Sequence, residues 1–372
     1  MPDHNERPRV AILNSRQSKT PLGIDEWVRR TVAAAQWAAR ELDAEIVSST
    51  NPLTWNLATW AAGRAGACVH LFEPESSGDA AYFAREFDIP RDHLHLHPIT
   101  DSSARSGKSW WAGRDRAVID LADVLIPVSL RPGGALEGLI AEHAGTKDII
   151  SQFRTPYAPA AHHERDLVDR NRLNPDLHNW PEGYLIHWTR SCHGPWPGET
   201  MADFLTDLVA SQTQYCRSAR HTLNRILRER RIRGSAWHVG SNQPVVAFTE
   251  LSPLESIPLM RWRSRWARWS FEPYGIAIPI EAAKQIGIRP VRYVEPDQWT
   301  GIPADEKPFC HSIGKDHPIW PAEREWRVVG DVALEELADH AGIIIVRDEA
   351  NVASLDNNLP WQIVSLITGK KK

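Results

Sequence analysis

Four places in the chain carry side chains that could do chemistry together. His187-Trp188-Thr189 closes a strand-like run over 184–188. Alternation puts His187 and Thr189 on one face of it. Val-Ala-Phe-Thr at 246–249 ends a second such run on Thr249. The third is Trp320-Pro-Ala-Glu323-Arg-Glu325-Trp326-Arg327. Glu323 and Glu325 lie two apart and would share a strand face. Paired carboxylates so placed can bind a ribose and stabilise an oxocarbenium-like centre. An isolated Glu-x-Glu also reads as a solvated edge strand. The fourth place joins two loops near the N-terminus. Asn14-Ser15-Arg16-Gln17-Ser18 follows the first apolar run, and Pro132-Gly133-Gly134 precedes Glu137. Hydroxyls, N–H groups and a guanidinium at a helix start suit a phosphate or carboxylate. Paired glycines let the backbone approach such a ligand closely, and they also occur in plain turns.

Other clusters have structural readings. His93, His95 and His97 alternate along one strand face, where a metal would need further ligands. No Cys or carboxylate cluster accompanies them, so no metal is expected. Cys192-His193 and Cys310-His311 form no CxxC pattern and read as incidental thiols. Arg261-Trp-Arg-Ser-Arg-Trp-Ala-Arg-Trp269 interleaves four arginines with three tryptophans. Trp262, Trp266 and Trp269 recur at i, i+4 and i+7, the spacing of a helix packed on a core. The same residues could stack single-stranded nucleic acid bases.

The elements that must position these groups fall into two patterns. Apolar runs at 9–13, 44–48, 66–72, 93–97 and 124–128 alternate with helical periods, which implies a parallel sheet covered on both faces. Ligands bind such sheets at the carboxyl ends of the strands, where the strand order switches. From 183 onward, strands at 184–188, 244–248, 274–280, 291–294, 325–329 and 343–346 lack regular crossover helices. That is an α+β pattern with a mostly antiparallel sheet. The expected domains are 1–153 and 183–372, joined by a polar, proline-rich linker over 154–182.

Composition limits the function. The 372 residues carry a net charge of -4, which excludes nucleic-acid binding by bulk charge alone. Four dispersed cysteines fit a reducing cytoplasm. No apolar stretch reaches membrane-spanning length, and the N-terminus lacks the design of a signal peptide. Trp supplies 17 of the aromatic residues, against 6 Tyr and 8 Phe. Most lie in the second half, where Trp188 and Trp326 flank the candidate residues and are expected to wall a cleft.

Residues 9–150 resemble the SLOG superfamily, the Rossmann-like group that contains DNA-processing protein A and the cytokinin-activating phosphoribohydrolases. The resemblance rests on Ser15-Arg16 after the first strand, on Arg114-Asp115-Arg116 opening a helix that ends in Ala122-Asp123, and on Pro132-Gly133-Gly134 with Glu137. Ala135-Leu136 stands where those hydrolases have a small, hydroxylated pair. Ser48-Ser49-Thr50-Asn51 stands in place of a Gly-Gly. The resemblance implies a nucleotide ligand held by Ser15, Arg16, Arg114, Gly133, Gly134 and Glu137. Nucleoside-monophosphate phosphoribohydrolase activity at Arg114 and Glu137 is the alternative it allows.

Residues 183–347 resemble the ADP-ribosyltransferase fold. The opening is similar to its DarT-type branch, and Trp-x-x-Glu-x-Glu-Trp-Arg to a bacterial family with members in abortive-infection systems. Carried over by motif, His187 holds the nicotinamide ribose and Glu325, or alternatively Glu323, stabilises the transition state. Thr189 and Thr249 line the same cleft. NAD is the implied donor, a nucleic acid or protein the acceptor, and water would make the enzyme a glycohydrolase. Together the resemblances imply a cytoplasmic, homo-oligomeric anti-phage or stress effector. The alternative from another class is a non-catalytic nucleotide-binding or interaction protein.

Overall fold

The computed structural model describes residues 7–74, 78–99, 108–158, 167–235, 243–263, 268–312, 320–337, 342–356 and 359–369. The chain forms two compact units. One comprises residues 1–162 and 193–216, the other 163–192 and 217–372.

The first unit is a six-stranded, all-parallel sheet. Its strands are β1 (Arg9–Asn14), β2 (Glu45–Ser49), β3 (Val69–Pro74), β4 (Leu94–Ile99), β5 (Val124–Ser129) and β6 (Asp148–Ile149), in the order β4-β3-β2-β1-β5-β6. Helices α1 (Glu26–Glu41), α2 (Leu53–Arg64), α3 (Ala80–Phe87), α4 (Lys108–Leu121) and α5 (Ala135–Glu142) join them. Strand alternation divides the apolar residues between two faces. Val10, Ile12, Ile46 and Ile126 pack with Val28, Ala35 and Leu57 on one side. Ala11, Leu13, Val47 and Leu125 pack with Val118, Ile119 and Leu139 on the other. This is the Rossmann-like arrangement expected for the N-terminal region, and its order switches between β1 and β5.

Helix α6 (Met201–Ala210) belongs to this first unit, although the sequence pattern groups it with the second region. It opens on a capping box between Thr200 and Asp203. Phe204, Leu205 and Leu208 are wholly buried in the first core. Each such side chain stabilises by about 1.5–3 kcal/mol when buried, which outweighs chain proximity in deciding where the helix docks. Residues 167–180, expected as linker, likewise pack into a core: Val168 and Leu177 are buried in the second unit.

The second unit is built on a seven-stranded sheet. Its strands are β7 (Tyr184–Trp188), β8 (Val245–Thr249), β9 (Gly275–Pro279), β10 (Arg289–Pro290), β11 (Glu325–Val329), β12 (Ile343–Asp348) and β13 (Gln362–Ile367). The order is β10-β11-β8-β7-β9-β12-β13. All pairs are antiparallel except β12 with β13. Helix α7 (Ala219–Glu229) sends Leu223, Ile226 and Leu227 onto the face carrying Leu185, Phe248, Ile276 and Val328. The opposite face buries Ile186, Trp188, Ala277 and Ile345. No described helix is long and apolar enough to cross a membrane.

Candidate functional site

At the β1/β5 switch the two expected loops do meet. Ser15 N–H donates to the Ser129 carbonyl (2.9 Å), and Ser15 Oγ accepts from Arg131 N–H (2.9 Å). Beneath them, Gln17 Nε2 donates to Ser129 Oγ (3.0 Å). Arg16 is exposed, and its carbonyl accepts from the Tyr157 hydroxyl (3.0 Å). Gly133 has φ +67°, a conformation that costs other residues strain, and Gly134 caps α5. Glu137 Oε2 accepts from Gly133 N–H (2.8 Å), so the start of α5 already carries a carboxylate. An incoming phosphate must displace it.

Arg114 is joined to a different loop. It is 2% exposed and donates through Nη1 to the carbonyls of Thr50 and Asn51, after β2. Nε and Nη2 donate to Asp115 Oδ1 at 3.0 and 2.6 Å. The guanidinium also lies over the Trp111 ring at 4.6 Å. Burial lowers the Arg114 pKa and raises that of Asp115, so desolvation opposes the charged form of both partners. Removing one partner strands the other. Arg114→Ala is therefore expected to cost about 3 kcal/mol in urea unfolding. Asp115→Asn, which leaves the carbonyl contacts intact, is expected to cost less.

In the second unit, register sorts the candidate residues into rows. Ile186 pairs with Thr249, and Thr249 with Glu325, so these three side chains share the face of Ile186 and Trp188. His187 takes the other face with Phe248, whose ring it meets edge-on at 5.7 Å. The sequence reading put His187 and Glu325 in one cleft; alternation across β7 and β8 puts them on opposite faces of the sheet. Trp188, expected to wall that cleft, is instead buried in the core and donates to Ser256 Oγ (3.2 Å).

His187 is part-buried, and its Nδ1–H donates to the Ala247 carbonyl at 2.8 Å, tying β7 to β8. Burial holds its pKa down at about 4, against an ordinary 6.5, with Arg190 adding to the effect. The unfolded chain takes up this proton near pH 6.5 and the folded chain near 4. Between those values the unfolded state holds more protons, so acidification favours unfolding. The expected result is a loss of urea-unfolding stability from pH 6.5 to 4 that is smaller in His187→Gln.

Both threonines are engaged by backbone. Thr189, 1% exposed, has its Oγ1 within bonding distance of the Ala219 and Tyr274 carbonyls (3.0 and 3.1 Å). Thr249 Oγ1 donates to the Glu323 carbonyl at 2.5 Å and accepts from Leu251 N–H. They staple strand ends to neighbouring turns.

Glu323 does not lie on a strand with Glu325. It ends the 3-10 turn Trp320–Glu323, Arg324 follows with φ +43°, and β11 begins at Glu325. The two carboxylates still interact. Burial, and then the Glu325 charge, raise the Glu323 pKa, and Arg263, Arg190 and Arg261 oppose the rise. Arg263 Nη2 lies 3.2 Å from Glu323 Oε1. Glu325 is gripped by the fork of Arg327, at 2.8 and 2.9 Å. Arg327 is 3% exposed and also donates to the Pro308 and Cys310 carbonyls. Tyr293 bonds to the Glu325 backbone, and burial pushes its hydroxyl up to about 12.

The Arg/Trp segment is not the expected helix. Trp262–Arg263 and Arg268–Trp269 pair antiparallel, Trp262 opposite Trp269 and Arg263 opposite Arg268. Trp266 lies outside the described residues. The mirror-symmetric Trp-Arg…Arg-Trp order was the signal for this ribbon, and helical spacing concealed it. Tyr293 carried no motif at all, and Arg327 closed the Trp-x-x-Glu-x-Glu-Trp-Arg motif without a role of its own. His93 lies in the turn before β4, while His97 Nε2 contacts His70 Nδ1 (2.9 Å) and His70 Nε2 contacts Glu45 (2.7 Å). Among the described residues no group of three His, Cys, Asp or Glu is placed to hold a metal.

No protein-family model matches the chain, and no curated protein matches it. Solved structures do. One is DNA processing protein A from Helicobacter pylori, described for its single-stranded DNA binding mode; it is 15% identical, with a TM-score of 0.30, over 41% of this chain and 70% of that one. Two are molybdenum cofactor carrier proteins of Chlamydomonas. They are 16% and 11% identical, with TM-scores of 0.26 and 0.27, over 39% of this chain and 74% and 91% of theirs.

Proposed function

We propose that the second unit cleaves the nicotinamide–ribose bond of NAD and passes ADP-ribose to an acceptor, while the first unit binds a regulatory nucleotide at the β1/β5 switch. One observation carries this reading: Glu323 and Glu325 meet at the start of β11, within electrostatic reach of Arg190, Arg261 and Arg263. Carboxylates can stabilise the positive ribose of a dissociating glycoside, and guanidiniums can hold the phosphates attached to it. Glu325, fixed by Arg327, is the stabilising group; Glu323 is its neighbour. His187 stands on the opposite face of the sheet and serves this site only indirectly, by locking β8 to β7 through the Ala247 carbonyl.

The second reading is a ligand-binding protein without turnover. It is favoured by the Arg327 fork, which occupies both Glu325 oxygens. Incubating the full chain with NAD, alone and with added nucleotides, and measuring nicotinamide by chromatography separates the two. Nicotinamide release that Glu325→Gln abolishes supports the enzyme. NAD-dependent thermal stabilisation without release supports the second reading.

A further inference from the structure

A line of side chains crosses three strands of the first unit's sheet. It starts at Glu45 on β2, passes through His70 on β3 and ends at His97 on β4, the strand at the sheet's edge. Glu45 Oε2 lies 2.7 Å from His70 Nε2, and His70 Nδ1 lies 2.9 Å from His97 Nε2. His70 is buried; its ring stacks on His95 at 4.9 Å, and His97 stacks on Phe72 at 4.8 Å.

The hydrogens on this line can be counted. An ionised carboxylate only accepts, so His70 Nε2 carries a hydrogen. Between the two rings there is room for one hydrogen, carried by either nitrogen. With both rings neutral, His97 Nε2 is the donor. One added proton leaves the contact intact, because a single imidazolium still faces a lone pair. A second puts a hydrogen on both nitrogens of each ring, and two N–H groups then point at each other across 2.9 Å.

The charges around the line are fixed by other partners. Arg9 on β1 stands 3.9 Å from Glu45. Cys68, just before β3, feels Glu45, Arg7, Asp92 and Asp43, and Arg7 pairs with Asp43 at 3.1 Å. His70 lies opposite Val47, on the face that α4 covers. On that helix Arg114 pairs with Asp115, Arg116 with Glu142 and Asp120 with His143. The Lys108 side chain lies outside the described residues. Burial first, then His70, His95 and Arg9, hold the His97 pKa below its ordinary 6.5.

We propose that Glu45, His70 and His97 form an acid-operated clasp, which ties the edge strand β4 to β2 until the two rings take up a second proton. The unfolded chain protonates His97 near pH 6.5 and the folded chain at lower pH. The stabilisation is therefore full above pH 6.5 and lost as pH falls below it. β4 pairs with β3 alone, so it is the part of the sheet that loosens first.

The test is hydrogen exchange of the full chain, read by mass spectrometry on peptides covering 94–99 and, as reference, 9–14, with the intrinsic pH dependence of exchange removed. From pH 7.5 to pH 5, β4 is expected to lose about tenfold in protection relative to β1. Gln offers an N–H and a carbonyl at about the spacing of two ring nitrogens and does not titrate. His70→Gln and His97→Gln should each keep β4 protected and remove its acid response. His95→Gln, outside the line, should retain that response. Thermal melting at pH 7.5 identifies a variant that misfolds, and the other Gln variant then decides. β4 protection that does not change with pH in the natural sequence overturns the clasp. So does an acid response that a folded Gln variant retains. Zinc-dependent protection of β4 that all three variants lose overturns it as well, because the histidines then serve a metal.

Discussion

Glu325→Gln is expected to lower nicotinamide release from NAD by about 10²–10³-fold, with little change in KM. The effect falls on kcat because a carboxylate opposite a developing oxocarbenium ion gains most of its interaction in the transition state. Gln keeps the size and one acceptor for Arg327 and loses the charge, so the substitution reads electrostatics ahead of shape. A second readout follows from the neighbour. The Glu325 charge is one of the forces raising the Glu323 pKa, so neutralising it should move the Glu323 titration to lower pH. Glu323→Gln is expected to cost less than Glu325→Gln, about tenfold, because Arg263 pairs with it and it stands outside β11. Equal losses in both variants, or no loss in either, would remove Glu325 from its assigned role. The assay is steady-state nicotinamide release across pH 5 to 9.

Arg327→Met is expected to destabilise the chain by about 3–5 kcal/mol in urea unfolding. The guanidinium is buried and holds Glu325 through two bonds and the Pro308 and Cys310 carbonyls through two more. Met fills most of the space, so the loss measures the groups left behind: a half-buried carboxylate and two acceptors without their donor. Adding Glu325→Gln to Arg327→Met removes the stranded charge. The double variant should therefore be more stable than the sum of the two single losses predicts, by about 1–3 kcal/mol. Strict additivity would mean that the fork contributes nothing as a pair.

Much of the first unit was legible in the sequence. Apolar runs bounded by turns and separated by helical periods can satisfy their backbone in few ways other than a parallel sheet with two covered faces. The loops of Ser15 and Gly133 converge because β1 and β5 are neighbours, as the switch-point rule expects. Helix α6 was misplaced because a capping box and an apolar face specify a helix and its buried side, but not which core receives it. The ribbon of Trp262 and Trp269 was misread because residues seven apart fit two helical turns as well as a cross-strand pair.

The sequence by itself determined the parallel sheet of the first unit, the mostly antiparallel strands of the second, and the acidic pair ahead of Trp326. Those are local properties: period two or 3.6, turn residues, and charge at fixed spacing. Only the tertiary structure decided that His187 and Glu325 stand on opposite faces of the sheet. It also decided that Arg114 serves the loop after β2 and that the hydroxyls of Thr189 and Thr249 bond to backbone carbonyls. The pairings of Glu325 with Arg327 and of Glu323 with Arg263 were decided there too. Register across β7, β8 and β11 depends on how the strands meet. Burial, which sets both the cost and the partner of each charge, exists only once they have.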